Sequence, residues 1–407
     1  MSLRSTLEIG PILRAMLRNK TGAILIALQC AITLAILLNA IHIITTRMDK
    51  MNRPSGLDTN NIISIQSIGF ANGFNVQNSI AEDLATLRKL PGVVDATPIN
   101  AIPQSGGGSS STFRTSPEDG KNESNAAYYE VDEHAINALG LKLIAGRNFR
   151  PEEVKQLPER TDDYSRVAIV SKDYADVLYP DGDALGKPLY SGQDHQRTII
   201  GIVERMQAAW VGWDKGYNTV IEPLITLENR VRYMIRTEPG RRDELMPVIE
   251  QTLQKLNSGR IVRGIKTQEE IARRAYSSDR AMTIILFTVV LLIVAITALG
   301  IVGLATFSVR RRTKQIGTRR ALGARQVDIL RHFMLENWLI TTAGVVVGIA
   351  LALVLNLWLV KTFSLPRLEW SYIPLGVLFM WLVGQLAVFT PARRASLIPP
   401  AIATRSV

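Results

Sequence analysis

Residues 310–324 read RRRTKQIGTRRALGA, six basic residues and no acid, and lie between two apolar runs that carry no charge, 281–309 and 337–360. Each run is longer than the roughly 20 apolar residues that cross a bilayer core. A short basic segment wedged between two such runs has to lie at a membrane surface. A third uncharged run covers 370–392. A fourth, 21–46, has no acid, Lys or Arg, although Gln29, Asn39 and His42 make it more polar. It begins too far into the chain, and is too long, for a cleaved signal peptide. The sequence therefore predicts four transmembrane helices at 21–46, 280–309, 333–361 and 370–392, the first far from the other three.

The distribution of Lys and Arg sets the orientation. Residues 1–20, 309–331 and 391–407 hold 15 basic and 2 acidic residues, whereas the rest of the chain holds 32 and 34, so all of the net +11 sits in these three segments. They are expected on the cytoplasmic side, with both termini inside and 47–279 outside. The same distribution excludes a nucleic-acid partner, which would need the basic excess on a soluble surface. The single cysteine, Cys30, lies in the first span and leaves the external region without disulfides. That region is long enough to fold on an ordinary core.

Within it, 61–68 (NIISIQSI) alternates as a strand. Residues 77–90 form an amphipathic helix with Ile80, Leu84 and Leu87 on one face, and 93–99 a second strand. The pattern returns near the other end. Residues 231–237 read as a strand, 241–256 as a helix with a stripe of Leu245, Val248, Ile249, Thr252 and Leu253, and 260–265 as a strand. These two units are expected to be halves of one α+β domain, at 58–103 and 223–270, with a separate piece inserted at 126–222. A Gly/Ser-rich passage, 104–125, precedes the insert and reads as a solvated loop. Its SGGGSSS lacks the Lys-Ser/Thr pair of a phosphate-cradling loop. Inside the insert, 128–131, 167–171 and 198–203 read as strands, and 132–139 and 172–178 as helices.

Catalytic chemistry finds little support. His42, His134, His195 and His332 show no metal-ligand spacing, so no metal site is expected. The acid pairs Asp132-Glu133 and Glu152-Glu153 read as solvated surface. Polar residues within the spans carry more information. Glu336, just before the third span, is expected at the interface or paired with Arg331 or His332. Gly344 and Gly348 in GVVVG form a close-packing pattern, within the bundle or between subunits. Gln29 and Asn39 are expected to hydrogen-bond a neighbouring helix. Residues 3–17 read as an amphipathic helix along the inner leaflet, divided by Pro11.

Further motifs point to a family. LGLKLIAGRN (139–148), VAIVS (167–171), YPDGDALGK (179–187) and TIIGIV (198–203) resemble the periplasmic domain of MacB-type ABC transporter permeases. RRRTKQIGTRRALGARQVDILRHFMLEN (310–337) and the tail PARRASLIPPAIATR (391–405) resemble the membrane core shared by MacB, FtsX and the LolC/LolE lipoprotein-release permeases. The resemblance covers nearly the whole chain. It implies a dimeric inner-membrane subunit, paired with a second copy or a paralogue, with a sabre-like insert in its periplasmic domain. Its motion would be driven by an ABC ATPase on the cytoplasmic face, so that force rather than substrate crosses the bilayer. It also implies that Arg312, Thr313, Lys314, Gln315, Ile316, Gly317, Arg319, Arg320, Ala321, Leu322, Gly323 and Ala324 belong to the coupling helix that docks on the ATPase. The family pattern has acids where this chain has Arg311 and Gln315. No GxxxxGK[ST] phosphate loop occurs in the sequence, so ATP and Mg are expected on a separate subunit and no cofactor on this chain.

Two classes of function follow. One is an active permease for efflux of an antibiotic, peptide or lipid-like molecule, working with a periplasmic adaptor and an outer-membrane channel. The other is an FtsX-like regulator of a periplasmic partner, or a LolC/LolE-like lipoprotein-release subunit. The size of the external region favours the first. A sensor-kinase receptor is disfavoured because no soluble output domain follows any span.

Overall fold

The computed structural model describes residues 20–117, 123–158, 163–192, 195–363 and 365–400. The amphipathic segment expected at 3–17 and the end of the tail lie outside the described residues. The chain forms two compact units, Asn52–Ser278 and a membrane unit of Met1–Met51 with Asp279–Val407.

The first helix, α1 (Lys20–Met51), belongs to the membrane unit. The soluble unit begins with β1 (Ile62–Gly69), α2 (Val76–Leu87) and β2 (Val93–Ile99). Asn75 caps α2 by accepting the Asn78 N–H at 2.9 Å. Ile80, Leu84 and Leu87, at helical spacing, are buried. β3 (Ser109–Arg114) and β4 (Glu123–Val131) follow. The Gly/Ser-rich passage is thus not a loop throughout, because β3 pairs antiparallel with β4 from Ser109↔Tyr128 to Arg114↔Glu123. Cross-strand partners supply what local propensity does not.

The helix expected at 132–139 contracts to one turn, α3 (Ala135–Ala138). Asp132 instead bends the chain by accepting the His134 N–H at 3.1 Å. The unit continues with β5 (Leu143–Gly146), β6 (Lys155–Pro158), β7 (Val167–Ser171), α4 (Lys172–Leu178), β8 (Pro188–Ser191), β9 (His195–Val203) and β10 (Thr219–Leu227). β11 (Arg230–Thr237), α5 (Arg242–Leu256), β12 (Arg260–Thr267) and α6 (Gln268–Ala275) complete it. On α5, Leu245, Ile249 and Leu253 are buried, while Val248 turns outward. The four-residue spacing of the first three centres the stripe on them.

The strand order is β12-β1-β11-β2-β4-β3-β8-β9-β7-β10-β6. An additional β4–β10 pairing closes six of these strands into a ring. Strands of the ring bury both faces: Val170 and Val220 enter one core, and Ile169 and Ile221 another. The two strand–helix–strand halves, separated by the insert, share a third core built from Ile63, Ile65, Leu84, Ile235, Ile249 and Leu253. A charge network crosses it. The Arg260 guanidinium, 0% exposed, binds Asp83, 1% exposed. Arg260 also donates to Ser79 Oγ at 3.0 Å and to the Leu253 carbonyl at 2.7 Å. The Tyr233 hydroxyl donates to Asp83 Oδ2 at 2.7 Å. Burial, then the Asp83 carboxylate, holds the Tyr233 phenol well above its usual range, so it stays a donor.

The membrane unit is completed by α7 (Ser277–Arg311), whose first residues fall in the soluble unit, α8 (Thr313–Ala321), α9 (Gln326–Phe363) and α10 (Tyr372–Ser396). α1, α7, α9 and α10 are long and apolar enough to cross a membrane. A helix satisfies its own backbone, which lipid cannot do. α1 is central, with 56% of its most apolar window buried, against 11% for α7. Gly344 and Gly348 face α1 of the same chain. A Cβ at these positions would lie 2.5 Å from the Ala27 carbonyl oxygen and 2.9 Å from that of Ala31. Small residues here let α1 and α9 approach closely.

Polar side chains tie the spans. Asn39 Nδ2 donates to the Ala352 carbonyl at 3.1 Å, and Asn39 Oδ1 accepts from Asn356 Nδ2 at 3.3 Å. Gln29 Nε2 donates to the Ile296 carbonyl at 3.1 Å. Asp279 binds Arg47 and, at 2.7 Å, Lys50, clasping one end of α7 to α1.

Candidate coupling site

The opening stretch folds into a helix–break–helix. α7 ends at Arg311, and Arg312 alone breaks the path before α8 starts at Thr313. The Arg312 guanidinium reaches Glu336 on α9, with Nη1 at 3.0 and 2.9 Å from the two carboxylate oxygens. Both side chains are largely covered, 19% and 11% exposed. The basic partner shown for Glu336 is thus Arg312, where the sequence had pointed to Arg331 or His332. Arg331, at i−5, lies off the face Glu336 occupies, and the hairpin geometry brings in Arg312 from 24 residues earlier.

Below the ion pair, Ile316 of α8 enters a small apolar core with Val309, Ile329, Phe333, Ala392 and Ala395. Gly317 beside it is also buried. α8 is thus seated on α9 and α10 by one apolar side chain and one ion pair. Its other face is open: Lys314, Gln315, Thr318, Arg319 and Ala321 are exposed, and Arg320 is half-buried. No acid lies on α8.

The helix ends in a left-handed cap. Gly323 has φ +99°, its N–H donates to the Arg320 carbonyl at 3.2 Å, and the Ala324 N–H donates to the Arg319 carbonyl at 3.0 Å. This pair of bonds is the Schellman arrangement, in which a residue with a Cβ is strained. A Cβ at Gly323 would meet nothing within 4 Å, so the demand for glycine is conformational, not steric. The cap lifts Leu322 to the tip, 83% exposed. A half-buried Ala324 completes the turn, and Asp328 Oδ2 accepts the Arg325 N–H at 3.0 Å to start α9.

The arrangement is an apolar knob ringed by guanidinium and ammonium groups on a braced helix. It can bind an acidic surface with an apolar hollow and pass on its displacement. Within the segment named from sequence, the structure separates the anchors (Arg312, Ile316, Gly317) from the open face (Lys314, Gln315, Arg319, Ala321, Leu322). Gln29, Asn39, Gly344 and Gly348 lie in the helix packing, away from α8. Sequence reasoning missed Asp279 and its partners, which are separated from it by more than 200 residues. An acid at a span border opposite Arg47 and Lys50 was the available signal.

The chain matches the family model of the MacB-like periplasmic core domain over residues 22–252 and that of the FtsX-like permease C-terminal over residues 287–400. It is 28% identical over 287 residues to the macrolide export ATP-binding/permease protein MacB of Chromobacterium violaceum, covering 68% of this chain and 42% of the relative. Against MacB of Neisseria meningitidis it is 24% identical over 352 residues, covering 84% and 52%. The chain therefore spans about half the length of the curated relatives it matches. The periplasmic region of MacB from Actinobacillus actinomycetemcomitans overlays with a TM-score of 0.35 at 17% identity, covering 56% of this chain and 97% of that one, too low to carry an argument. With the first model spanning more than half of its residues, the chain belongs to the MacB-like periplasmic core domain family, and its C-terminal spans are of the FtsX-like permease type.

Proposed function

We propose that this chain is the permease subunit of a MacB-like ABC transporter. A separate ATPase subunit binds ATP and Mg, and its closure is passed through α8 and the spans to the soluble unit. The single observation that carries this reading is the seating of α8. One face is fixed by Ile316 and the Arg312–Glu336 pair, while the other offers Leu322 among cations. The permease acts as a dimer with a second copy or a paralogue. The apolar surface of α7, where Ile284, Phe287 and Leu291 are each more than half exposed, is available for lipid or for that subunit. Export of antibiotic, peptide or lipid-like substrates through a periplasmic adaptor and an outer-membrane channel is the working assignment.

A pull-down of the chain from native membranes in mild detergent is expected to bring an ABC ATPase with it. A Leu322→Glu chain should lose that ATPase, with roughly tenfold weaker capture, about 1.4 kcal/mol. Gly323→Val should keep membrane insertion but reduce substrate-stimulated hydrolysis, because the cap tilts. If both variants capture and stimulate the ATPase as the parent does, the coupling assignment is wrong. A cell-wall hydrolase or lipoprotein chaperone in place of an adaptor would turn the reading to regulation or lipoprotein release.

The assignment places the chain in the bacterial inner membrane with the soluble unit periplasmic and both termini cytoplasmic. Cys30 is buried and gives no labelling background. A Ser110→Cys chain in intact cells should react with a membrane-impermeant maleimide, and a Thr318→Cys chain only after lysis. The reverse pattern would invert the topology.

A further inference from the structure

The soluble unit contains a crevice of about 670 Å3 that the coupling argument does not use. It opens where strands part. β2 and β4 pair only through Ile99↔Val131, and β10 leaves β4 after Pro223 to pair with β6. The lining brings together two carboxylates, Glu130 and Glu228, and two guanidinium groups, Arg230 and Arg232. Among the described residues no ion pair joins any of these four to a partner. Glu130 Oε2 accepts only the Thr226 hydroxyl at 2.5 Å, and Arg232 Nη1 donates to the Asn100 carbonyl at 2.5 Å.

Both signs are thus present in one crevice, with Glu228 near enough to act on Glu130 and on Arg232 alike. Burial, then the charges of Glu222 and Glu228, push the Glu130 carboxyl above its usual range, against the Thr226 hydrogen bond. Burial, then Arg230, pulls Arg232 below its own, against the opposing charge of Glu228. A ligand of a single charge would relieve one set and be repelled by the other. A ligand with an ammonium at one end and a carboxylate at the other relieves both.

The rim is wired onward. Gln104, buried at φ +62°, lies in the loop between Ile102 and Ser105 of the lining. Gln104 Nε2 donates to Gln207 Oε1 at 2.7 Å, and Gln207 Nε2 donates to the Tyr276 hydroxyl at 2.9 Å. Tyr276 immediately precedes α7. A left-handed conformation at a non-glycine residue is costly and persists only where its surroundings hold it. Here two side-chain hydrogen bonds join the crevice rim to Tyr276, near the end of the soluble unit.

We propose that this crevice binds short zwitterionic peptides, the ammonium against Glu130 and Glu228 and the carboxylate against Arg230 and Arg232. The proposal names a ligand class for the export reading above and depends on it for its physiological meaning.

The test is calorimetric titration of the full chain in lipid nanodiscs with trialanine, N-acetyl-trialanine and trialanine amide. Trialanine should bind with a Kd of about 1 mM or tighter. Each blocked peptide should bind roughly tenfold more weakly. In an Arg230→Gln chain, the preference for trialanine over its amide should shrink severalfold, with Arg232 holding the remainder. In a Glu228→Gln chain, the preference for trialanine over its N-acetyl form should shrink severalfold, with Glu130 holding the remainder. Both positions are on the exposed side of the crevice, so neither variant threatens the core. Equal binding of the three peptides, or no binding of trialanine, overturns the proposal. No ATPase enters this titration, so its failure leaves the coupling assignment standing. Loss of ATPase capture by α8 variants, in turn, leaves the crevice standing.

Discussion

An Asp83→Ala chain is expected to lose about 3–5 kcal/mol of stability in its soluble unit, because the buried Arg260 guanidinium would lose its counter-ion. The magnitude follows from burial. Arg260 and Asp83 are 0% and 1% exposed, so solvent cannot screen the stranded guanidinium. Tyr233 would also lose its acceptor, leaving a second buried polar group unpaired. For a unit of this size the loss corresponds to a fall in melting temperature of roughly 10 °C or more. Thermal unfolding followed by limited proteolysis of the soluble unit measures it. An Asp83→Leu/Arg260→Met chain should recover most of the loss, since an apolar pair of similar volume often equals or exceeds a buried ion pair. A loss below about 1 kcal/mol in Asp83→Ala would mean that the pair does not hold the two halves together.

The second large effect is functional. In a Glu336→Ala chain, Arg312 loses both of its carboxylate contacts and α8 keeps only the Ile316 seat. Hydrogen bonds to charged groups contribute about 1.5–3 kcal/mol, and the cover over this pair places it well above an exposed surface bridge. The global fold should survive, since α1, α9 and α10 remain packed through Leu34, Leu38, Ala352 and Met380. Coupling should not: stimulation of ATP hydrolysis by the permease is expected to fall roughly tenfold or more, equivalent to about 1.4 kcal/mol of lost communication. The swap Arg312→Glu/Glu336→Arg should restore a large part. Parental stimulation in Glu336→Ala would show that the ion pair does not brace α8. A fall that the swap fails to repair would assign the loss to Glu336 alone.

Both predictions concern contacts between residues remote in sequence, and this divides what could be read early from what could not. The four spans were legible because crossing a bilayer imposes a length and an absence of charge on consecutive residues. α2, β2, β7 and α4 were legible because their apolar periods are local, and Ile80, Leu84 and Leu87 all turn inward as their spacing requires. β3 was hidden in SGGGSSS because its partner, β4, supplies the stabilisation. α3 shrank because the Asp132 side chain competes for backbone groups that a helix would use.

The sequence by itself determined that this is a four-span membrane protein with a large α/β domain between the first and second spans, and that residues 310–324 form a basic surface segment. These properties follow from composition over consecutive residues. Only the tertiary structure decided that Arg312 is an anchor and Leu322 a knob, that Gly344 and Gly348 fit α1 of the same chain, and that Asp83 belongs to Arg260. It also set Glu130 and Arg232 in one crevice without pairing them. Ion pairs, close helix contacts and clefts depend on distances between side chains that chain order leaves free, and the packing of the whole unit sets those distances.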